Sequence, residues 1–570
     1  MSLPAAGART NWFTSVFRVR NIVIFLAILL IAYLTLTPFI YLISSTFSHD
    51  GSFSLDAFVR AYSFSGIQDM VLNSVIFTVG ATLLPLLLGT ALAYVTVRTN
   101  VPFRSLIVAT SLVPLIVPSL LYTIAWIMVA SPRIGLVNQI SQALTGATPF
   151  DVFSMAGMIW VEGTHSVPLV YLFMFVAFRA MDPSLEESAL VSGATRWRML
   201  RTVTLPLMRP AIAAAGLVVL VKTLGSFEVP TLLGIPSNIY VFVSRIYYVM
   251  SDFPYDTGAA GALSVGLIAM AVVGTTLLTR IQRNGKQYAT VTGKGFRPNS
   301  LDLGKWKWWV AACVLVYFIV TTALPLLVML YNSLLSHFQK VTLEAFSQFN
   351  FNNYIELFSK GIFGRSVGNS VLLAAGSATV IMLLTAIAAW VVLRTRNRFR
   401  GVLDQLTFLP MVIPGLVIGV AVSFVYLRSP LPFAVYGTLL ILLVAYVTNF
   451  LPYGMRYAMS SLQQISVELE ESAQVSGASW WQTSSRVVFP LMFPGLMAGW
   501  IYLFVVIVRE LGSSILLYSP GNEVIAVLIF QLYEEGELVT ISALGVVLVV
   551  FLTAIVALVY KFGSRVGIRL

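Results

Sequence analysis

The amino-acid sequence predicts an all-α, polytopic membrane protein: twelve transmembrane helices in two parallel six-helix repeats. Three observations lead there. Of 570 residues, 58% are hydrophobic and only 10% charged, against about 25% charged in a soluble domain. Twelve apolar runs are long enough to cross a hydrocarbon layer, which takes about 20 residues. The segment Glu187 to Gly193 returns 284 positions later as Glu471 to Gly477.

The first six runs lie near 21–44, 70–96, 105–129, 152–178, 208–234 and 257–279. The second six lie near 308–335, 366–392, 402–427, 433–459, 494–518 and 537–561. Backbone polar groups cannot stay unpaired in lipid, so each run is read as a helix. The run from Asn21 follows Arg9, Arg18 and Arg20, as in a secretory leader. It is longer than a leader's apolar core and no small-x-small site follows, so it is expected to be the first span.

Charge sets the orientation. Arg98, Arg104, Arg280, Arg283, Lys286, Lys294, Arg297, Lys305, Lys307, Arg394, Arg396, Arg398, Arg400, Lys561, Arg565 and Arg569 fall in one set of loops and the tail. Asp50, Asp56, Asp69, Asp252, Asp256, Glu523, Glu534, Glu535 and Glu537 fall in the other. The basic loops and both termini are expected in the cytoplasm. The net charge of +12 therefore reflects orientation and not a nucleic-acid partner. Cys313 is the single cysteine, can form no internal disulfide, and is expected to be a small buried apolar residue.

The halves repeat one another. Asn73, Ala93 to Thr99 and the prolines Pro114 and Pro118 recur at Asn369, Ala389 to Thr395, Pro410 and Pro414, all with an offset of 296. Six spans is an even number, so the halves share one topology about an axis along the membrane normal. The expected organisation is a first repeat at 1–285, a basic cytoplasmic linker at 286–307 and a second repeat at 308–570.

The polar loops at 185–210 and 469–494 align without a gap, with Pro206 and Pro490 each thirteen residues after the repeated glycine. Ser184 can cap a helix whose first turn holds Glu186 and Glu187. Gly193 interrupts it and Pro206 is expected to end a second short helix. Such a helix pair on the membrane surface suits the cleft of a soluble partner.

The pattern Glu-x-Ala-x-x-x-Gly followed by Leu-Pro resembles the EAA loop of binding-protein-dependent ABC importer permeases. The first copy matches through Glu187, Ala189, Gly193, Val203, Leu205 and Pro206, the second through Glu471, Ala473, Gly477, Val487 and Pro490. Phe489 departs from the leucine of the pattern, and Ser188 and Ser472 replace its middle alanine. The resemblance implies a type I importer fold with both permease subunits fused in one chain. It also implies two copies of an ABC ATPase docked on the two loops, an extracytoplasmic (periplasmic) solute-binding protein and a bacterial inner membrane. ATP and Mg would sit on the partner subunits, with no cofactor on this chain. Val291 to Pro298, Arg509 to Ser513 and Ser519 to Gly521 are similar to the branch of fused permeases for ferric iron, thiamine and aminophosphonates. Ferric iron is the leading cargo, with thiamine, a phosphonate or a polyamine as alternatives.

No Gly-x-x-x-x-Gly-Lys-Ser/Thr phosphate loop occurs, so no catalytic residue is assigned and the chain is not expected to be an enzyme. His49, His165 and His337 are scattered, and no metal site is expected. A secondary transporter also uses six-plus-six repeats, but it has no use for two such loops. A channel would show a filter sequence.

Ionisable residues at membrane depth are functional candidates. Lys222 and Glu228 in span five, and Arg509 and Glu510 at a related place in span eleven, are read as lining a central pathway. Gly225 and Pro230 would loosen the helix there. The competing reading is an interhelical ion pair, such as Lys222 with a glutamate. Neutralisation across the interface between halves is expected, and Glu162 and His165 are placed near the outer interface.

The orientation makes a labelling prediction. Cysteines at Lys294 and Thr195 should react only with reagents that reach the cytoplasm, and one at Asn522 should react from outside. Labelling of position 294 from the periplasmic side would overturn the twelve-span arrangement.

Overall fold

The computed structural model describes residues 19–49, 52–284, 301–342, 344–395, 398–428 and 435–563. Arg9, Arg18, Asp50, Arg396, Arg565, Arg569 and linker residues 286–300, with the phrase Val291 to Pro298, lie outside these segments.

Helices dominate. The first half holds α1 (Val19–Thr46), α2 (Ile67–Arg98), α3 (Arg104–Leu112), α4 (Ser119–Ala130), α5 (Met155–Ala180), α6 (Ser184–Val191), α7 (Arg196–Leu224) and α8 (Thr257–Asn284). The second half holds α9 (Trp306–Ser333), α10 (Gly361–Arg394), α11 (Arg400–Phe408), α12 (Gly415–Arg428), α13 (Leu439–Gln463), α14 (Val467–Val475), α15 (Trp480–Val508) and α16 (Leu538–Gly563). Among the described residues the one sheet is a two-residue antiparallel ladder, Ser48 opposite Phe53 and His49 opposite Ser52.

Among the described residues ten helices are long and apolar enough to cross a membrane, and two bent helix pairs bring the number to twelve if each pair is one span. The expected third span turns by 100° between α3 and α4, and the expected ninth by 111° between α11 and α12. The cause is the repeated proline pair. Pro114 and Pro410 sit in short 3₁₀ turns, and Pro118 and Pro414 immediately precede α4 and α12. Proline lacks the N–H that would continue the ladder and blocks the preceding turn.

Spans five and eleven also differ from expectation. Pro206 does not end a segment: α7 runs unbroken from Arg196, and α15 from Trp480. A π turn precedes each proline, at Leu200–Thr204 and Ser484–Val488. Leu205 N–H donates to the Leu200 carbonyl and Phe489 N–H to that of Ser484, five residues back. The widened turn gives the proline ring room and re-satisfies the backbone that it would otherwise strand. The same device recurs in α9, where the π turn Ile319–Ala323 precedes Pro325.

The halves interlock. α1 packs on α8 of its own half but also on α10, α11 and α12 of the other, and α9 packs on α16 and on α4. Thr448 Oγ1 donates to the Leu34 carbonyl at 3.3 Å, and Tyr122 Oη to that of Thr321 at 2.7 Å. Lipid offers no hydrophobic drive for helix association, so close approach at small residues carries it. Gly261 lies against Thr46 and Phe424, and its counterpart Gly545 against Met329 and Leu121. Long apolar side chains such as Leu26, Leu29 and Leu87 face outward, as a lipid-covered surface requires. Cys313 joins them: it is exposed on α9 and not buried as expected.

Gly261→Val should therefore force α1 and α8 apart, costing about 1–3 kcal/mol. Gly364→Ala, where a Cβ meets nothing within 4 Å, should be neutral or slightly stabilising. Thermal unfolding of both variants in detergent checks the contrast.

Candidate functional site

The two polar loops fold alike. In each, one helix is closed by a glycine in the left-handed region, Gly193 at φ +84° and Gly477 at φ +86°. Gly193 N–H donates to the Leu190 carbonyl and Ala194 N–H to that of Ala189, both at 3.0 Å; Gly477 with Gln474 and Ala478 with Ala473 repeat this at 3.0 Å. The repeated glycine is therefore required by the backbone. A Cβ on either would meet nothing within 4 Å, so their outer sides are open. Thr195 and Ser479 then cap the next helices through the N–H groups of Arg198 and Gln482. Ser184 is not a cap: it is the first helical residue, and Asp182 accepts its N–H at 2.9 Å.

Each loop is anchored by a buried ion pair that the sequence reading missed. Arg98, at the end of α2, lies 3.5 Å from Glu186 and donates to the Met181 carbonyl at 3.0 Å. Thr204 Oγ1 donates to Glu186 at 2.6 Å. In the second half Arg394 Nε meets Glu470 Oε1 at 2.8 Å, Trp390 Nε1 reaches Oε2 at 3.3 Å, and the Leu462 and Ile465 carbonyls accept from Arg394. The motif glutamates Glu187 and Glu471 face solvent beside these anchors. In the sequence the two arginines read as loop charges, although each sits in the matched stretch ending at Thr99 and Thr395.

The exposed side of each loop is apolar at matched positions. Val191 and Val475 are each 89% exposed, and Trp197 and Trp481 are exposed as well. Leu205 and Phe489 occupy equivalent places and both face outward, so the Leu-to-Phe departure changes an exposed apolar contact. Pro206 and Pro490 lie inside α7 and α15 behind their π turns.

The membrane-depth charges gather in one place. Lys222, Glu228, Arg509 and Glu510 line a cavity of ≈ 240 Å³ between the halves, with Ser119, His165, Gly225, Gly415 and Asn449. α7 stops at Leu224 and α15 at Val508, so both spans open into irregular backbone there.

Pairing inside the cavity follows the competing reading at Lys222, which meets a glutamate on another helix, and departs from the expected pairing across the interface. Lys222 Nζ binds Glu162 Oε1 at 2.7 Å and Ser166 Oγ at 2.8 Å, all within the first half, and Ser226 Oγ donates to Glu162 Oε2 at 2.7 Å. Glu162 is 1% exposed and His165 8%, so neither belongs to the outer interface. Glu510 accepts from Ser513 N–H and Ser514 Oγ, both at 2.8 Å, and Ser514 Oγ also meets Tyr446 Oη at 2.6 Å. Among the described residues no ion pair at the cavity spans the two halves. What crosses is Arg509, whose Nη1 donates to the Leu115 carbonyl at 2.7 Å.

The offset of 284 that superimposes the loops aligns Glu162 with Tyr446 and Ser226 with Glu510. The carboxylate thus comes from the fourth span in one half and from the end of the fifth in the other. Lys222 and Glu228 align with the uncharged Val506 and Gly512, so the four charges share a cavity without being exchanged by the repeat. Among the described residues, no group of three or more His, Cys, Asp or Glu side chains gathers as a metal site.

A family model described as binding-protein-dependent transport system inner membrane component matches residues 85–285 and 381–566. The chain is 24% identical over 538 residues to the ferric transport system permease protein FbpB of Actinobacillus pleuropneumoniae, covering 93% of this chain and 76% of that one. It is 24% identical over 551 residues to the Fe(3+)-transport system permease protein FbpB 2 of Haemophilus influenzae, covering 95% and 98%. A candidate 2-aminoethylphosphonate transport permease, PhnV of Salmonella typhimurium, is 26% identical over 253 residues, 44% of this chain and 93% of its own. A crystal structure of a bacterial ABC transporter that imports the acidic polysaccharide alginate covers 48% of this chain and 98% of its own at 21% identity, with a TM-score of 0.40.

Arg394→Met should leave a buried carboxylate unpaired and destabilise the second loop by about 3–5 kcal/mol. Adding Glu470→Leu should restore most of it, since replacing both partners removes the stranded charge. Thermal midpoints of the single and double variants measure the difference.

Proposed function

Because the chain belongs to the family of binding-protein-dependent transport system inner membrane components, an ABC importer permease, we propose that it passes ferric iron from an extracytoplasmic solute-binding protein into the cytoplasm. Two copies of a separate ATPase drive it. Each ATPase docks on one polar loop, and both loops and both termini face the cytoplasm of a bacterial cell. Ferric iron is favoured by the two long relatives named as ferric permeases. An aminophosphonate is the second reading, favoured by the half-length relative.

The observation that carries the docking reading is the matched exposure of Val191 and Val475, 89% each, on loops held by buried ion pairs. A rigid, anchored helix pair that leaves a valine bare in both copies is shaped for a partner with two equivalent clefts. Glu187, Ala189, Gly193, Leu205, Pro206 and their counterparts Glu471, Ala473, Gly477, Phe489 and Pro490 frame that surface. Transmission follows from continuity. α7 extends 29 residues from the loop to the cavity, about 43 Å at 1.5 Å per residue. A push at Arg196 is delivered to Lys222 by one rod, and α15 repeats the arrangement. The cavity between the halves is then the pathway, and its charges meet the cargo.

Purification in mild detergent should bring an ATPase with the chain, and proteoliposomes holding both, with the binding protein, should take up radiolabelled ferric iron when ATP is supplied. Val191→Asp combined with Val475→Asp should reduce ATPase co-purification and uptake about tenfold or more, because each buries a charge in an apolar contact. Uptake driven by an ion gradient without any ATPase would contradict the reading. ATP-driven uptake of 2-aminoethylphosphonate in place of iron would select the second cargo.

A further inference from the structure

Two corners of the interface cavity, Ser119 and Gly415, are the first residues of α4 and α12, helices of 12 and 14 residues that begin directly after the prolines at the two bends. A helix start presents unpaired N–H groups and the positive end of its dipole. The start of α12 has a carboxylate beside it. Glu510 Oε1 lies 3.2 Å from where a Cβ on Gly415 would stand. The start of α4 is different: no side chain caps it.

Two cations border the same cavity. Lys222 lines it while bound to Glu162, and its side chain keeps 36% of its exposure. Arg509 spends Nη1 on the Leu115 carbonyl, and a guanidinium has five donors in all. The independent sign of a ligand is His165, 8% exposed and lining the cavity. Its Nε2 stands 3.0 Å from the Val117 carbonyl and must be the donor, so in the neutral ring Nδ1 carries a lone pair. That Nδ1 is buried and has no hydrogen-bond partner. Buried polar atoms are almost always paired, and this one wants a donor. Glu228 lines the same cavity.

We propose that the cavity is a solute site for a molecule carrying both an oxyanion and a cationic or N–H-bearing centre. The start of α4, Arg509 and Lys222 receive the oxyanion; His165 Nδ1 and Glu228 receive the other centre. The inference rests on the permease reading and narrows its cargo. Ferric iron held by carboxylate oxygens and an aminophosphonate both have this mixed chemistry. A bare cation or a simple amine does not.

The test is calorimetric titration of the intact permease–ATPase complex in lipid nanodiscs with three probes: ferric citrate, 2-aminoethylphosphonate and ethanolamine. One of the first two should bind and ethanolamine should not, and the one that binds identifies the source of the oxyanion. Arg509→Met should weaken binding about tenfold or more, with partial recovery in Arg509→Lys. His165→Gln, which preserves the charge of the neutral ring, should weaken it too. Failure of both oxyanion probes to bind, or binding within twofold of wild type in Arg509→Met, overturns the site. Binding-protein-stimulated ATP hydrolysis in the same preparation separates the two failures. Stimulation without probe binding defeats the site and leaves the permease reading standing, whereas no stimulation defeats that reading itself.

Discussion

An unpaired backbone N–H or carbonyl in hydrocarbon costs several kcal/mol, and the rest of this architecture follows from how the chain meets that constraint. Pro206, Pro325 and Pro490 are each preceded by a π turn, so α7, α9 and α15 stay continuous there. Where the ladder does break, at Pro118 and Pro414 and at the ends of α7 and α15, the adjoining Ser119, Gly415, Gly225 and Arg509 line the space between the halves. The breaks therefore converge, and the space between them is the cavity. Frayed backbone at membrane depth is tolerated only where protein or water surrounds it, so the interface is the natural place for a pathway.

The same logic governs charge. Arg98 with Glu186 and Arg394 with Glu470 are buried at the loop ends of α2 and α10, each also bound to backbone carbonyls. Breaking such a pair is far costlier than its net contribution, which makes each a rigid fixture between a loop and the span above it. α7 and α15 each run from a loop to the cavity without interruption. The repeat supplies two such helices, but their cavity ends differ: one presents Lys222 on Glu162, the other Arg509 reaching across to Leu115.

Much of this was legible in the sequence. Apolar runs and the duplicated segment gave the class, the spans and both loops, because hydrophobic length and repeat symmetry are local properties. The brackets Pro114 with Pro118 and Pro410 with Pro414 are visible too, yet each falls inside an apolar run that reads as one span, since a proline alone does not say whether a helix bends or widens by one residue. Pro206 shows the converse: a π turn five residues long absorbs it. Glu162 was misplaced because its partner, Lys222, is 60 residues away and only packing brings them together. Glu186 and Glu470 were hidden by the motif itself, which draws the eye to the exposed glutamate one position later.

The central claim is that broken helices enclose a solvent-reachable cavity between the halves at membrane depth. Substituted-cysteine labelling tests it most directly, using a membrane-impermeant thiol reagent on the reconstituted complex with Cys313 replaced. Cysteines at Ser119 and Asn449, which line the cavity, should be labelled in at least one nucleotide state. A cysteine at Ala421, fully buried on α12, should stay unreactive in all of them. Silence at Ser119 and Asn449 in every state, or equal labelling at Ala421, would contradict the account.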